Sequence, residues 1–339
     1  MQRRSGEALQ RDRYRGRSKP SVTPTDVGTV GDFEQALSDA DSNIRLTNNL
    51  RLTKQYTLAN ETELDLNGHT INSTISSPLF MVTGKVTVKG GNASTKGQFA
   101  QVKNGGDMTV ENGTFTSSAA DVIRVGTNGK VTINGGELTG REGAVACRDG
   151  GSTIVVNGGT LVGTDNYAIA TNGSNGMGGN TIIINDGVME GNIQAAVYEA
   201  IGVYVANNDV VVINGGSIVA NGGTGICMRA GDVTINGGSI TATNVDKNGN
   251  VVADGKIGDD STVMTGCSAV IFHETSNYPG QKQGVMKLTV NGGTITGVDH
   301  SIQVLSQAAE PKVYVTGGTL TPVYPEPVVE TPVEEPANP

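Results

Sequence analysis

One short pattern of apolar and polar positions recurs along the middle of the chain. The pattern is an apolar residue, any residue, an apolar residue, Asn-Gly-Gly, any residue and a final apolar residue. It occurs in VTINGGEL, IVVNGGTL, VTINGGSI and LTVNGGTI, and LDLNGHTI is an earlier variant. The asparagine position, here called the marker, falls at Asn67, Lys89, Asn112, Asn134, Asn157, Asn185, Asn214, Asn236, Asn291 and Thr316. Successive markers are 22, 23, 22, 23, 28, 29, 22, 55 and 25 residues apart, so the basic unit has 22 to 23 residues.

Each unit predicts three short strands separated by corners. The residues one and three before the marker, such as Ile133 and Val131, are apolar and share one face of a strand. Asn-Gly-Gly accepts the positive φ of a tight corner, and the apolar residue four past the marker, such as Leu138, begins a second strand. Val145 and Cys147 belong to a third strand, eleven and thirteen past their marker. This pattern predicts an all-β fold, a right-handed parallel β-helix of about ten coils.

The marker and cysteine positions each allow two interpretations. The marker asparagines can form a ladder of hydrogen-bonded side-chain amides along the stack, or a ligand-binding face. Cys147 and Cys227 both lie thirteen past their markers, which predicts one interior column. With Cys267 they fit neither a disulfide framework nor a zinc spacing, so we expect three reduced, buried thiols.

The pattern divides the chain into four segments. Residues 1–29 are expected to be a basic extended arm, residues 30–60 a capping helix with the first strands, residues 61–322 the β-helix, and residues 323–339 a Pro/Glu-rich tail. Apolar residues between Phe33 and Ala40 share one helical face, and Asp32 is the expected N-cap. Prolines from Pro322 onward prevent a continuing strand ladder.

Composition and charge exclude several classes of protein. Glycine supplies 49 residues, aromatics are 4% and tryptophan is absent, which argues against an ordinary globular core rich in aromatics. The net charge of −9 argues against a specific nucleic-acid surface, and no apolar run is long enough to span a bilayer. Residues 1–20 are nevertheless rich in arginine, without the apolar stretch of a secretory signal, so we expect no export by that route.

The chain offers few candidates for catalysis. The adjacent acid and histidine pairs are His273-Glu274 and Asp299-His300, and each is interpreted mainly as a polar corner after a strand. No cluster of charged residues on one strand face is evident. The sequence therefore assigns no catalytic, cofactor-binding or metal-binding residue.

Two arginines and one insertion are candidates for ligand binding. Arg148 and Arg229 follow third strands, near Asp149 and Asp232, and either line a groove for an anionic sugar or are solvated corners. The 55-residue spacing contains alternating Asp and Asn at 244–250, followed by further aspartates, but lacks the closing glutamate of a calcium loop. Insertions in solenoids often mark a binding face, so partners are expected at this loop and at the longer corners near residues 174 and 198.

The opening TVGDFEQALSDADSNIRLTNNLRLTKQYTLANETELDLNGHTI resembles the start of many right-handed β-helix proteins. Over residues 30 to 321 the chain resembles the pectate-lyase-like superfamily, and most closely the solenoids of tailed-phage virions. The resemblance implies a structural virion protein, such as a head fibre, capsid decoration or tail fibre. Its basic arm would bind capsid or tail proteins, with a disordered tail or a nucleic-acid contact as the alternatives for so cationic a segment. Its rod would adhere to the host surface or a cell-surface glycan.

The same resemblance leaves two other functions open, because this fold carries many activities. One is a tailspike-like polysaccharide depolymerase, either a lyase or a glycoside hydrolase. The other is a bacterial surface adhesin. Phage fibres and spikes are commonly trimers, so a homotrimer is one expected state, and the expected location is the virion.

Overall fold

The chain winds through three parallel β-sheets that run along the axis of a right-handed β-helix. The computed structural model describes residues 23–40, 43–193, 200–252, 256–257, 262–263, 267–273, 285–305 and 311–322. Within these residues sheet A has 12 strands, sheet B has 11 and sheet C has 10. Every strand pair in these three sheets is parallel, which confirms the predicted fold class.

Each coil contributes one strand to each sheet, in the order A, B, C. Sheet A contains β1 (Thr25–Val27), β2 (Asn43–Leu46), β5 (Thr62–Asp65), β8 (Lys85–Lys89), β11 (Asp107–Val110), β14 (Lys130–Ile133), β17 (Thr153–Val156), β20 (Thr181–Ile184), β23 (Val210–Ile213), β26 (Gly231–Ile235), β31 (Met286–Val290) and β34 (Lys312–Val315). Sheet B contains β3 (Leu50–Arg51), β6 (Thr70–Ser73), β9 (Asn92–Thr95), β12 (Thr114–Ser117), β15 (Glu137–Gly140), β18 (Thr160–Gly163), β21 (Val188–Asn192), β24 (Ser217–Asn221), β27 (Ser239–Thr243), β32 (Thr294–Thr296) and β35 (Thr319–Thr321). Sheet C contains β4 (Tyr56–Leu58), β7 (Phe80–Val82), β10 (Ala100–Val102), β13 (Ile123–Val125), β16 (Gly143–Cys147), β19 (Tyr167–Ala170), β22 (Ala200–Val205), β25 (Gly223–Met228), β30 (Val270–Phe272) and β33 (Ile302–Val304).

The interior is a set of columns of aliphatic side chains. Val131 and Ile133 of β14 align with Ile154 and Val156 of β17, and all four are fully buried. The alternate residues point to solvent, so the strands of sheets A and B alternate between buried and partly exposed positions. This confirms the inward face assigned from the repeat.

The corner between sheets A and B depends on the second glycine of Asn-Gly-Gly. Gly136, Gly159 and Gly238 have φ of 92°, 90° and 84°. A Cβ at Gly159 would lie 2.7 Å from the carbonyl oxygen of Gly136 in the preceding coil. Glycine is therefore required both for the left-handed backbone and for the close approach of successive corners.

A short helix, α1 (Val30–Ser38), lies beside the first coils. Its N-cap is Thr29 and not the predicted Asp32, because Asp32 occupies the N3 position of a capping box and accepts a hydrogen bond from the Thr29 backbone N–H. Phe33 of the helix is fully buried and packs edge-on against Tyr56 and Phe80. The helix therefore covers the core where sheet C begins.

The parallel ladder begins at Thr25, inside the segment 1–29 expected to be an arm. β1 pairs with β2, and Arg45 donates hydrogen bonds of 2.7 and 3.0 Å to the carboxylate of Asp26. Strands β1 and β2 both precede the first Asn marker, so sheet A has more strands than the ten marker positions. β2 lies among the first strands expected within residues 30–60, whereas β1 was not predicted because it precedes the repeat and lies in the expected arm.

The three cysteines are buried and reduced, as expected, but the predicted shared column is wrong. Cys147 packs in the main core, whereas Cys227 lies in a second apolar layer on the outer face of sheet C. The register runs from Ala146 through Ala170 and Tyr204 to Cys227. In the coil of Cys227 the corner between β24 and β25 is one residue longer than the corner between β15 and β16 in the coil of Cys147, so equal counts from the marker reach opposite faces of the strand.

The 55-residue spacing is an insertion after β27. Val245 and Val251 form an antiparallel bridge, and β28 (Lys256–Ile257) pairs antiparallel with β29 (Thr262–Val263). Asp246 accepts hydrogen bonds from the backbone of Asn248 and Asn250, which closes a turn within 244–250. The later aspartates of the insertion, Asp254, Asp259 and Asp260, lie outside the described residues.

Candidate functional site

The marker asparagines from Asn134 to Asn291 form a continuous amide ladder on the surface, whereas Asn67 donates to the Leu46 carbonyl oxygen and Asn112 accepts from the Gly90 N–H. Each side-chain Nδ2 donates to the Oδ1 of the marker in the preceding coil, at 2.8 or 2.9 Å, in the pairs Asn157–Asn134, Asn185–Asn157, Asn214–Asn185, Asn236–Asn214 and Asn291–Asn236. Thr316 ends the ladder by donating to Asn291. The structural interpretation is thus confirmed for the markers from Asn134 to Asn291, since these amides satisfy one another.

The outer face of sheet C carries a group of charged residues that we call the Asp121 cluster. It consists of Asp121, Arg124, Glu142, Arg148 and Tyr167. Asp121 lies in the corner before β13, Arg124 on β13, Glu142 just before β16, Arg148 just after β16 and Tyr167 at the start of β19. Three successive coils therefore bring these side chains together.

Asp121 is the centre of this cluster. It is fully buried, and its carboxylate accepts hydrogen bonds from Arg124 at 3.2 Å, from Arg148 at 3.1 Å and from the Tyr167 hydroxyl at 2.8 Å. Arg148 also donates to Tyr167 and to Glu142. A buried carboxylate is stabilised when it is paired and hydrogen-bonded in this way.

The charges of the cluster are paired with one another: Glu142, whose side chain is 49% exposed, lies 3.9 Å from Arg124 and 3.4 Å from Arg148. Burial, with the nearby Asp121 carboxylate, raises the pKa of Tyr167 well above its ordinary value, so the hydroxyl stays protonated and donates. Burial alone would lower the pKa of Arg148, but Tyr167 and Asp121 outweigh burial and raise that pKa. The side chains of Arg124 and Arg148 remain 30% and 31% exposed, so their outer edges are accessible to a ligand.

Arg148 and Arg229 are not equivalent, although they occupy similar places in the repeat. Arg229 is 1% exposed, its Nη1 lies 2.9 Å from Nδ1 of His273, and its guanidinium lies over the ring of Tyr204. It is therefore a buried residue and not a solvated corner. Neither arginine pairs with the aspartate nearest in sequence: Asp149 accepts from the backbone of Thr127, and Asp232 pairs with Lys287.

The remaining sequence candidates do not combine into a reactive site. His273 is buried beside Arg229, and its neighbour Glu274 lies outside the described residues, as does residue 198. Asp299 is exposed and His300 is partly buried. The described part of the chain holds no group of three His, Cys, Asp or Glu residues arranged to bind a metal ion, and none of its helices is long and apolar enough to cross a membrane.

Sequence reasoning missed Asp121 and Tyr167. Asp121 lies in a corner and Tyr167 directly follows one, and nothing in the repeat distinguishes these positions from solvated ones. The two residues come from different coils and meet only through the strand register, which the repeat alone does not give.

A second buried polar column lies at the corner between sheets C and A. The Asn180 side chain accepts a hydrogen bond from the Ser152 backbone at 3.0 Å, and Asp209 accepts from the backbone and side chain of Asn180 at 2.9 and 2.8 Å. Asp209 is fully buried, and burial raises its pKa above the ordinary 3.8, although hydrogen bonds from Thr171 and Asn180 oppose the shift. The protonated form of Asp209 is thus favoured by folding.

Because the folded-state pKa is raised, the stability that Asp209 contributes is present below pH 3.8 and is lost as the pH rises through the folded-state pKa. We expect Asp209→Asn to raise the free energy of unfolding at pH 7 by about 1 kcal/mol, because the neutral amide avoids burying a charge. The difference between the variant and the original protein should shrink toward pH 4, where Asp209 is protonated. Urea unfolding of both proteins at several pH values measures this. The exposed Asp186→Asn is the matched control, and an equal effect of the two substitutions would contradict the assignment.

No family model, curated protein or solved structure significantly matches this chain.

Proposed function

We propose that this protein is a structural component of a tailed-phage virion, a head fibre, capsid decoration or tail fibre that holds an adhesive surface away from its anchor. The observation that carries the proposal is the uninterrupted stack of sheet A, which has 12 strands in the described residues. At about 4.8 Å per strand the stack is a rod on the order of 50 Å long. Such a continuous hydrogen-bonded stack suits a rigid spacer.

The sequence of the N-terminal segment supports attachment to a larger assembly. Residues 1–20 contain seven lysine and arginine residues against two acidic ones, while the whole chain has a net charge of −9. A cationic segment on an anionic protein is suited to an acidic partner surface, such as a capsid or tail protein. This segment precedes β1 in the sequence and is separate from the strands of the three sheets.

The Asp121 cluster supports adhesion to a glycan better than cleavage of one. Arg124 and Arg148 present partly exposed guanidinium edges, and both are held in place by the buried Asp121. An anionic sugar can accept charge-assisted hydrogen bonds from these edges. A depolymerase needs an accessible and unpaired acid or base. Asp121 is fully buried, Tyr167 retains its proton, and the exposed carboxylate of Glu142 is paired with Arg124 and Arg148.

Replacing Arg148 by alanine tests the adhesive surface. We expect the affinity for a polyuronate to fall by about tenfold or more, since a hydrogen bond to a charged group is removed. Isothermal titration of the full chain with a polyuronate, and with neutral dextran as the comparison ligand, measures the change. Arg51→Ala, at an exposed position on sheet B, is the control. Unchanged polyuronate binding by the Arg148 variant, or equal binding of dextran, would contradict this site.

The virion role is tested by fractionating phage particles from the source culture. An antibody raised against the chain should detect it in the particle band of a density gradient, and it should remain there after a low-salt wash. Release of reducing ends or unsaturated sugars from host polysaccharide by the purified chain, with no protein in the particle band, would favour the depolymerase instead.

A further inference from the structure

The solvent face of sheet A carries two columns of side chains. The charged column lies near the strand starts and reads Lys85, Asp107, Lys130, Thr153, Thr181, Val210, Asp232, Lys287 and Lys312 along the rod. The second column, two residues further along each strand, reads Thr109, Thr132, Val155, Ile183, Val212, Thr234 and Thr289. Both columns are uncharged at β17, β20 and β23, where an aliphatic patch faces solvent.

The charges on either side of this patch are arranged in opposite order. Lys130 on β14 pairs with Asp107 on β11 at 3.3 Å, and Asp232 on β26 pairs with Lys287 on β31 at 3.1 Å. On one side of the patch the lysine, Lys130, is thus nearer to the patch than its aspartate. On the other side the aspartate, Asp232, is nearer than its lysine. Strand β20 lies midway between them, since β14 and β26 are each two strands away.

We propose that the solvent face of sheet A binds the same face of a second copy of this chain, with the two rods antiparallel. A two-fold axis parallel to strand β20 and above it maps β14 onto β26 of the second copy, and β11 onto β31. Lys130 then faces Asp232 of the second copy, and Asp107 faces Lys287. Ile183 meets its own counterpart, with Val155 packed opposite Val212.

This pairing is specific to a two-fold axis of that direction. A three-fold axis along the rod places each coil beside the same coil of its neighbour, so Lys130 cannot reach Asp232. The complementary charges therefore favour an antiparallel dimer over the parallel trimer that a resemblance to phage fibres implies. Lys85 and Lys312 face each other only at the rim, where exposed lysines can turn away.

The size of the face sets the expected affinity. Seven strands of four or five residues cover on the order of 400 Å² per partner, about half of the 800 Å² in a standard interface. We therefore expect a concentration-dependent dimer with a dissociation constant of about 1 to 100 μM, which weakens as salt screens the charge pairs.

Sedimentation equilibrium of the full chain, with two charge-reversal variants, tests the proposal. Lys130→Glu places glutamate against Asp232 of the partner, and Asp232→Lys places lysine against Lys130, so each variant alone should raise the dissociation constant by about tenfold. An equimolar mixture of the two variants should restore dimers. In the mixed dimer the introduced glutamate of one chain faces the introduced lysine of the other, and the unchanged Asp232 and Lys130 also face each other. A folding defect could not be repaired by mixing.

Lys96→Glu changes the net charge by the same amount at an exposed corner outside sheet A and should leave dimerisation unchanged. Monomers at every concentration up to several times the expected dissociation constant, a trimer, or failure of the mixture to recover would each overturn the proposal. The virion role is tested by other means, so it stands or fails separately.

Discussion

Replacing Phe99 by alanine should lower the free energy of unfolding by about 3 to 5 kcal/mol, the range for removing a large aromatic side chain from a packed core. Phe99 is fully buried, and its ring centroid lies 5.3 Å from that of Phe80 and 4.9 Å from that of Phe115. These rings continue the contact that Phe33 of α1 makes with Phe80. Truncating Phe99 therefore opens a cavity within the stack that joins the helix to the first coils.

Chemical denaturation followed by circular dichroism measures the loss. Phe99→Leu retains most of the apolar volume and should cost less than about 2 kcal/mol, which makes it the matched control. A loss below about 1.5 kcal/mol for Phe99→Ala would mean that the ring is not held between Phe80 and Phe115, because a fully buried aromatic cannot be removed so cheaply.

Replacing Gly159 by alanine should lower the free energy of unfolding by about 3 kcal/mol. Of this loss, about 1 to 2 kcal/mol comes from the left-handed backbone alone. The rest arises because the added Cβ would lie 2.7 Å from a carbonyl oxygen of the preceding corner, and backbone cannot move aside as a flexible side chain can. The effect should be visible as a lower midpoint in thermal unfolding.

Gly176 separates these two contributions. Its φ of 78° is also left-handed, but an added Cβ would meet no atom within 4 Å. Gly176→Ala should therefore show the backbone cost without the clash, at about 1 to 2 kcal/mol. Equal losses at both glycines would show that the stacked corners are not in close contact.

The repeat predicted the strands and the amide ladder well because both depend on local rules. Residues one and three before a marker must share a face, and markers at one corner must stack, so Ile133 and Asn157 could be placed from the sequence. The same counting failed for Cys227, because the corner after Ala220 is one residue longer than the corner after Gly140. A side-chain period of two makes a single added residue enough to reverse the face.

The Asp121 cluster could not be predicted because its members come from three coils and their partners depend on register. Arg148 was singled out in the sequence, but Asp149 beside it is not its partner, whereas Asp121 is. The self-complementary charges of sheet A depend on register in the same way. Lys130 and Asp232 have no relation in the sequence until the strands between them are aligned.

Cryo-electron microscopy of the assembled phage particle is the decisive test of the virion role of this rod. We expect density for residues 1–22 against a capsid or tail protein, continuous with a three-sheet rod that projects outward and leaves the outer face of sheet C accessible. Particles from the source culture that lack this density would show that the virion role is wrong, and a rod attached through the face that carries Arg124 and Arg148 would show that this face is not the adhesive surface.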